Sequence, residues 1–281
     1  MISIIVPIYN EEKAIRNTLE RLKKIGPKLG DFEIIAVNDG SSDNTRSTLE
    51  SIDGITVVNS PYNLGYGASI KKGMRACRGN WIAITDADGT YPLEELPTLA
   101  KYAGEYDMVV GARTGKSVHI PFFRKPAKWI IGRLANFMAG RKIDDVNSGL
   151  RIFNKAKALE FMKLYPSGFS FTTTITLAFM TNEYTVKYIP INYFKRTGKS
   201  SIKPLKDFIG FIALIFRIVM YFRPLRFFLW PAAVLIIAGI IHGTYQIIHF
   251  PTGLGDVPVF LLIVGVQTIL MGFIADVVSK K

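Results

Sequence analysis

Cysteine, histidine and, over long stretches, charge are what this chain has least of. A single cysteine, Cys77, in 281 residues excludes an internal disulfide and a cysteine-based metal cluster, and it reads as a small apolar packing residue. The three histidines, His119, His242 and His249, stand beside no acidic motif. The opening Met1 to Pro7 lacks a basic n-region and a cleavage site, so it reads as a strand and not a signal peptide, which keeps the N-terminal part in the cytosol. No internal repeat, low-complexity segment or nucleic-acid module is evident. Charge is missing from Phe227 to Gly255 and again from Val257 to Ala275. Each run holds the roughly 20 apolar residues that cross a bilayer, which predicts two transmembrane helices, about 227–248 and 257–278, joined by a Pro/Gly turn. Buried helices of a soluble protein are the alternative reading.

Charge is concentrated elsewhere. The formal net charge is +13. Lys195, Arg196, Lys199, Lys203, Lys206, Arg217, Arg223 and Arg226 precede the first uncharged run with Asp207 as the only opposing charge, and Lys280 and Lys281 follow the second. By the positive-inside rule both flanks are cytoplasmic, giving a multi-pass protein of the cytoplasmic membrane with both termini in the cytosol and the loop from His249 to Asp256 outside. Such a basic balance points to anionic lipid head groups and phosphates, not to nucleic acid.

Before those runs the chain alternates strand-like and helix-like segments. Ile2 to Ile8, Phe32 to Val37, Ile55 to Val58, Asn80 to Thr85, Asp107 to Ala112 and Tyr184 to Ile191 read as strands, with helical patterns between them. Asn10 is expected to cap the first helix and Asp43 the second. This alternation predicts an α/β fold, Rossmann-like, with a mostly parallel sheet covered by helices on both faces. Expected divisions are a domain over 1–202, a juxtamembrane amphipathic helix over 203–226 and the two spans over 227–281. His119 to Met138, mixing aromatic and basic residues, reads either as an interfacial helix or as an ordinary amphipathic core helix.

Acidic residues cluster where strands end. Asp86 and Asp88, in Asp86-Ala87-Asp88-Gly89, follow an apolar strand at its C-terminal tip, where two carboxylates one residue apart can face one hard cation bridging a diphosphate. The same residues also suit a plain Asp-Gly turn with Asp86 as a helix cap. Asp39 sits at another strand tip, placed to accept hydrogen bonds from a base or ribose. The glycines of Asn63-Leu64-Gly65-Tyr66-Gly67-Ala68 resemble a phosphate-cradling loop without completing a dinucleotide or Walker signature; close helix approach is the other reading. Asp145 lies in a polar turn, Asp144 to Arg151, ahead of Ile152 and Phe153.

Taken in order, Val6-Pro7-Ile8-Tyr9-Asn10-Glu11-Glu12, Asn38-Asp39-Gly40-Ser41-Ser42-Asp43, the Asn63 to Ala68 loop, Asp86-Ala87-Asp88-Gly89 and Asp145-Val146-Asn147-Ser148-Gly149 resemble the family 2 inverting glycosyltransferases of GT-A fold. Within them the resemblance is to polyprenyl-phosphate glycosyltransferases of the dolichyl-phosphate mannose or glucose synthase type, and it covers residues 1–202. It implies that Pro7, Tyr9, Glu11, Asp39, Gly65, Asp86, Ala87 and Arg113 bind the nucleotide-sugar, and that Asp86 and Asp88 hold Mg²⁺ or Mn²⁺. It further implies that Arg124, Arg196, Lys199 and Ser200 bind the acceptor phosphate, and that Asp88, Asp145, Arg124 and Arg196 act in catalysis. Two positions depart from the family pattern: Asn38 stands where the first Asp of the loop is usual, and Thr90 where mannose synthases often carry Gln.

The implied reaction moves a sugar from a UDP- or GDP-sugar to a polyprenyl (dolichyl or undecaprenyl) phosphate at the cytoplasmic face, with inversion. A lipid phosphate is already anionic, so it needs no strong general base, in keeping with the scarcity of histidine. The competing readings are a membrane glycosyltransferase acting on a glycolipid or polysaccharide and a non-catalytic membrane-anchored sugar-nucleotide binder. Against a processive synthase, no Trp stands in a Gln-x-x-Arg-Trp context. A homo-oligomer, the sugar and the base are left open.

Overall fold

The computed structural model describes residues 1–115, 142–168, 170–194, 224–250 and 253–279, with Arg133, Asn136, Gly140, Phe216, Met220 and Tyr221 besides. The chain divides into two compact units, Met1–Leu214 and Ile215–Lys281. In the first, the strands are β1 (Ile2–Ile8), β2 (Phe32–Asn38), β3 (Thr56–Asn59), β4 (Trp81–Ile84), β5 (Met108–Ala112), β6 (Arg151–Asn154) and β7 (Val186–Pro190). They form one seven-stranded sheet in the order β3-β2-β1-β4-β6-β5-β7.

β1 lies near the centre and is buried from end to end, as its continuous apolar run predicts. Its Pro7 is compatible with an interior strand for a local reason. The Ile5 carbonyl accepts from Thr85 N–H on the β4 side, and Pro7, two residues on, faces that same side. β4, however, pairs with β1 only from Ile2 to Ile5, so no ladder bond is lost where the proline lacks its N–H.

The sheet is mixed. β1 runs parallel to β2 and β4, β2 to β3, and β5 to β7, whereas β6 is antiparallel to both β4 and β5. The sequence pattern placed Ile152 and Phe153 after a polar turn without marking a strand; four residues are too short to show a period of their own. Insertion of β6 has a geometric consequence. Because β4 and β5 both oppose it, they point the same way, and the segment entering β6 arrives at the edge where β1 to β5 and β7 end.

Helices cover both faces. On one side α1 (Ile15–Ile25) packs Ile15, Leu19 and Leu22 into a core shared with Ile4, Val6, Ala36 and Ala83. On the other, α3 (Tyr66–Ala76) brings Gly73 against Ile5, where an added Cβ would lie 2.5 Å from Ile5 Cγ2. Ile4 and Ile5 therefore serve opposite faces, following the period of two. Among the described residues this unit also has the helices α2 (Thr45–Glu50), α4 (Leu96–Ala100), α5 (Lys155–Glu160) and α6 (Phe171–Thr181).

One capping expectation is corrected, and the other is met by the side chain of Asp43 one residue ahead of the formal cap position. Asn10 does not cap α1, which begins at Ile15 after Ala14. Its backbone has φ 54°, and its side chain instead accepts from Ser42 N–H at 2.8 Å, tying the β1 tip to the loop after β2. Asp43 accepts from Thr45 N–H, the first residue of α2, at 3.0 Å, and its other oxygen accepts from Glu12 N–H at 3.3 Å. The formal cap position is Asn44, which makes no side-chain capping bond. Cys77 packs in the interior as expected, 4% exposed, with burial raising its thiol pKa.

The glycine loop also departs from a phosphate cradle. Asp39 accepts from Leu64 N–H at 3.0 Å and Gly65 N–H at 2.8 Å, while Gly67 donates to the Gly168 carbonyl at 3.1 Å and Ala68 to that of Ser167 at 2.9 Å. The donors a phosphate needs are thus used inside the protein. Glycine is required because backbone passes this close: a Cβ on Gly67 would lie 2.1 Å from the Pro166 carbonyl oxygen.

In the second unit α7 (Pro224–His249) and α8 (Asp256–Ser279) form a hairpin, each helix long and apolar enough to cross a membrane. Gly239, Gly243, Gly265 and Gly272 let the helices approach, since Cβ atoms there would meet Leu262, Pro258, Ile236 and Phe228 across the pair. Gln246 closes the turn by accepting from Gly255 N–H at 2.8 Å. Outward-facing Trp230, Ile241, Ile248, Phe260 and Val278 remain exposed, as a lipid-facing surface requires. Most of the interfacial segment 119–138 and most of the amphipathic segment 203–226 lie outside the described residues.

If close backbone packing is what Gly67 serves, Gly67→Ala should destabilise the full chain by about 1–3 kcal/mol through overpacking. Gly168→Ala, which meets nothing within 4 Å, should stay within about 0.5 kcal/mol. Thermal unfolding of both variants in detergent checks the contrast.

Candidate active site

The segments that leave β1, β2, β3, β4, β5 and β7 and the one that enters β6 meet at one sheet edge, the place where parallel α/β sheets bind ligands. Four acids from three of these segments converge there. Asp39, Asp88 and Asp145 are nearly inaccessible, at 3%, 6% and 2% exposed, and Asp86 is half-buried. Buried carboxylates persist when donors satisfy them.

Each acid has donors from a different part of the chain. Asp39 orders the Leu64 and Gly65 backbone described above. Asp88 Oδ1 accepts from Thr90 N–H at 3.1 Å and from its hydroxyl at 2.7 Å. Asp86 Oδ1 accepts from the Tyr66 hydroxyl at 3.1 Å. Burial, and then the charge of Asp86, push the Tyr66 pKa well above its ordinary value, so the phenol is a donor at physiological pH. The Asp86 carboxylate lies against Gly149, where a Cβ would sit 2.9 Å from Oδ1 and 3.0 Å from Oδ2.

Asp145 meets Arg113 in a two-pronged pair. Arg113 Nε donates to Oδ2 at 2.7 Å, Nη2 to Oδ1 at 2.9 Å, and its backbone N–H to Oδ2 at 3.0 Å. Burial alone would lower the Arg113 pKa, but Tyr91 and the bonded Asp145 outweigh it and raise the value well above the usual one. Arg113 also stacks on the Tyr193 ring at 5.2 Å, and Tyr193 meets Tyr91 edge-on at 5.1 Å. The Tyr91 hydroxyl in turn accepts from Gly149 N–H at 2.7 Å.

The Asp145–Gly149 loop is braced from below by Arg151, a fully buried arginine at the start of β6. Its side-chain hydrogen bonds go to neutral acceptors: both Nε, at 2.9 Å, and Nη2 donate to the Ser148 carbonyl, and Nη1 donates to the Thr172 carbonyl at 3.0 Å, the Thr176 hydroxyl at 2.8 Å and Met108 Sδ at 3.8 Å. The Ser148 hydroxyl reaches the Gly111 carbonyl at 2.5 Å, fastening the loop to β5. On the other side the Thr18 hydroxyl of α1 donates to the Ala87 carbonyl at 2.9 Å, and Phe194 N–H donates to that of Thr90 at 2.9 Å. The acidic turn is therefore tied to α1, to α3 and to the chain leaving β7.

Of the residues expected from sequence, Pro7, Asp39, Gly65, Asp86, Ala87, Asp88, Arg113 and Asp145 all lie on segments at this edge. Tyr9 is there too, 41% exposed, and Glu11 N–H donates to the Thr45 hydroxyl at 3.0 Å. Arg124, Arg196, Lys199 and Ser200 lie outside the described residues; the segment carrying the last three follows Phe194. Asn38, the departure from the family pattern, uses both ends of its amide, donating to Asn59 Oδ1 at 2.9 Å and accepting from Ser41 N–H at 3.1 Å. Aspartate lacks that donor. Sequence reasoning missed Thr18, Tyr66, Tyr91, Arg151, Thr176 and Tyr193. Tyr66 had a visible signal, flanked by two glycines; Thr18, Tyr91, Thr176 and Tyr193 have key partners remote in sequence, and the burial of Arg151 is set by the packing of α6 on β6.

The donor set suits a hard cation. Two carboxylates offer only oxygen, as Mg²⁺ and Mn²⁺ prefer, and among the described residues no group of three or more acidic, histidine or cysteine side chains is arranged to hold a metal. A pair of this kind fits an ion whose remaining positions are filled by phosphate oxygens and water.

A mixed sheet with these acids at its carboxyl edge is a domain of the GT-A type. Residues 3–162 match the model of glycosyl transferase family 2, and the chain belongs to that family. Residues 223–280 match the GtrB C-terminal hairpin. A dolichyl-phosphate hexose transferase of Haloferax volcanii is 27% identical over 205 residues, which cover 72% of this chain and 87% of the relative. A low-salt glycan biosynthesis hexosyltransferase of the same organism is 28% identical over 73% of this chain and 51% of its own length. An undecaprenyl-phosphate 4-deoxy-4-formamido-L-arabinose transferase of Proteus mirabilis is 34% identical over 55% of this chain and 49% of its own length. The chain thus spans about half the length of these last two relatives. Among solved structures, glucosyl-3-phosphoglycerate synthase of Mycobacterium tuberculosis with Mn²⁺, UDP and phosphoglyceric acid superposes with a TM-score of 0.57 at 18% identity, covering 78% of this chain and 76% of that one. S. aureus TarS with UDP-GlcNAc gives 0.58 at 21% identity, covering 79% and 67%. At such identities the likeness is one of fold.

The Arg113–Asp145 pair is desolvated, with side-chain exposures of 15% and 0%. Removing one member strands a buried charge, so Arg113→Met should cost about 3–5 kcal/mol. Arg113→Met with Asp145→Leu should lose less than the sum of the single changes. Denaturant unfolding of the three variants checks this.

Proposed function

We propose that this protein transfers a sugar from a nucleotide-sugar to a polyprenyl phosphate at the cytoplasmic face of a membrane, with inversion at the anomeric carbon. The observation that carries the reading is the joining, in one chain, of a family 2 domain with an acid pair at its sheet edge to an apolar helix hairpin of the GtrB type. The relatives named for dolichyl- and undecaprenyl-phosphate support the acceptor class. UDP and UDP-GlcNAc in the solved GT-A neighbours support the donor class.

In this reading a non-bridging oxygen of the lipid phosphate attacks the anomeric carbon as its bond to the donor diphosphate breaks. The products are a lipid phosphodiester-linked sugar and a nucleoside diphosphate. No proton must be removed from the nucleophile, so positioning and charge carry the rate. Bound Mg²⁺ or Mn²⁺ at Asp86 and Asp88 supplies charge neutralisation of the leaving diphosphate. Pro7, Tyr9, Glu11, Asp39, Gly65 and Ala87 line the nucleotide side. Asp145, locked by Arg113, is held in place beside the sugar. Arg124, Arg196, Lys199 and Ser200 take the acceptor phosphate. The basic residues flanking the uncharged runs keep the catalytic unit and both termini on the cytoplasmic side.

Nucleotide release from a panel of UDP- and GDP-sugars with a polyprenyl phosphate tests the reaction. Release that does not depend on the lipid phosphate, or a product that retains the donor's anomeric configuration, would contradict it. Asp88→Ala should reduce turnover by at least about 100-fold while remaining folded, and excess chelator should silence the wild type. Arg196→Ala should raise the acceptor requirement or slow the chemical step while leaving nucleotide affinity less changed. Collapse of nucleotide binding would instead move Arg196 to the donor side.

A further inference from the structure

Asp86 and Asp88 are one residue apart yet held in different ways. Asp88 is satisfied within its own turn by Thr90, two residues away. Asp86 depends on other elements: the Tyr66 hydroxyl reaches it from the start of α3, and the Gly149 backbone lies against both of its oxygens. We infer that Tyr66 is a positioning residue for the metal site, aiming Asp86 so that it and Asp88 present oxygen to one cation. The inference rests on the metal role proposed above.

Three features make the phenol suited to this. Tyr66 follows Gly65, whose N–H is held by Asp39 at 2.8 Å and whose φ of +100° sets the direction in which α3 starts. The next two residues are pinned as well, Gly67 to the Gly168 carbonyl and Ala68 to that of Ser167. The hydroxyl is therefore delivered by backbone fixed on both sides, on a rigid ring that offers a single donor to the carboxylate. A hydrogen bond to a ligating carboxylate orients it and tunes its basicity. Gly149 completes the seat, because a Cβ there would press on both oxygens of the carboxylate.

The test is Mn²⁺ binding by the full chain in detergent, read by electron paramagnetic resonance of the free ion, with UDP and with GDP as separate probes. Tyr66→Phe removes one oxygen and should weaken Mn²⁺ binding about 10-fold. Its unfolding temperature should match that of Tyr165→Phe, which removes a buried hydroxyl bonded to the Ala158 carbonyl at 2.8 Å and should bind Mn²⁺ as the wild type does. Raised Mn²⁺ should restore Tyr66→Phe transfer. Gly149→Ala leaves the phenol in place, disturbs the same carboxylate and should also weaken binding, which decides the matter if Tyr66→Phe is unstable. Wild-type affinity in Tyr66→Phe, with affinity lost in Asp88→Ala, would overturn the role of Tyr66 and leave the metal site standing. Wild-type affinity in Asp88→Ala would overturn the metal site and the role of Tyr66 together.

Discussion

Four carboxylates gathered at one edge of a sheet repel one another and resist leaving water, and the architecture around them answers that constraint. Each is given donors by a separate part of the chain: Asp39 by the loop before α3, Asp86 by Tyr66, Asp88 by Thr90 and Asp145 by Arg113. Satisfying the acids individually offsets the cost of burying them and fixes each in its own place. The concentration of negative charge that remains is what an incoming cation would neutralise.

Arg151 shows how far the supporting layer extends. A fully buried guanidinium bonded only to neutral acceptors is costly to desolvate, and burial lowers its pKa. Its bonds converge on the Ser148 carbonyl and on Thr172 and Thr176 of α6, so it joins a helix to the loop that carries Asp145 and underlies Asp86. A cation here also offsets the acids above it, and Asp145 is among the groups that favour its charged form. The same loop is bonded to Tyr91, whose ring contact with Tyr193 reaches the chain leaving β7.

Much of this was readable from the residues in order. Short apolar runs rich in β-branched residues marked β1, β2 and β5, because a strand covered on both faces needs apolar side chains at most positions. Long uncharged runs marked the hairpin, since a bilayer core tolerates little else. The acidic pair stood out because carboxylates at a strand tip coincide with turn residues. The readings that failed were those depending on competition for a local group. Asn10 is a good capping residue by type, but Ser42 lies within reach of its side chain, and Gly65 and Gly67 suit a phosphate loop until the 166–168 backbone takes the space.

By itself the sequence determined the class of fold, the place of Asp86 and Asp88 at the end of β4, and the two apolar helices, because each follows from periodicity, composition or adjacency along the chain. Only the tertiary structure decided that β6 runs against its neighbours, and with that reversal Asp145 and Gly149 arrive at the edge where Asp86 stands. The pairing of Arg113 with Asp145 across 32 residues, of Tyr66 with Asp86 across 20 and of Thr18 with Ala87 across 69 likewise had no local signature. Such contacts are set by which strands lie side by side, and strand order is a property of the whole packed sheet that no single segment encodes.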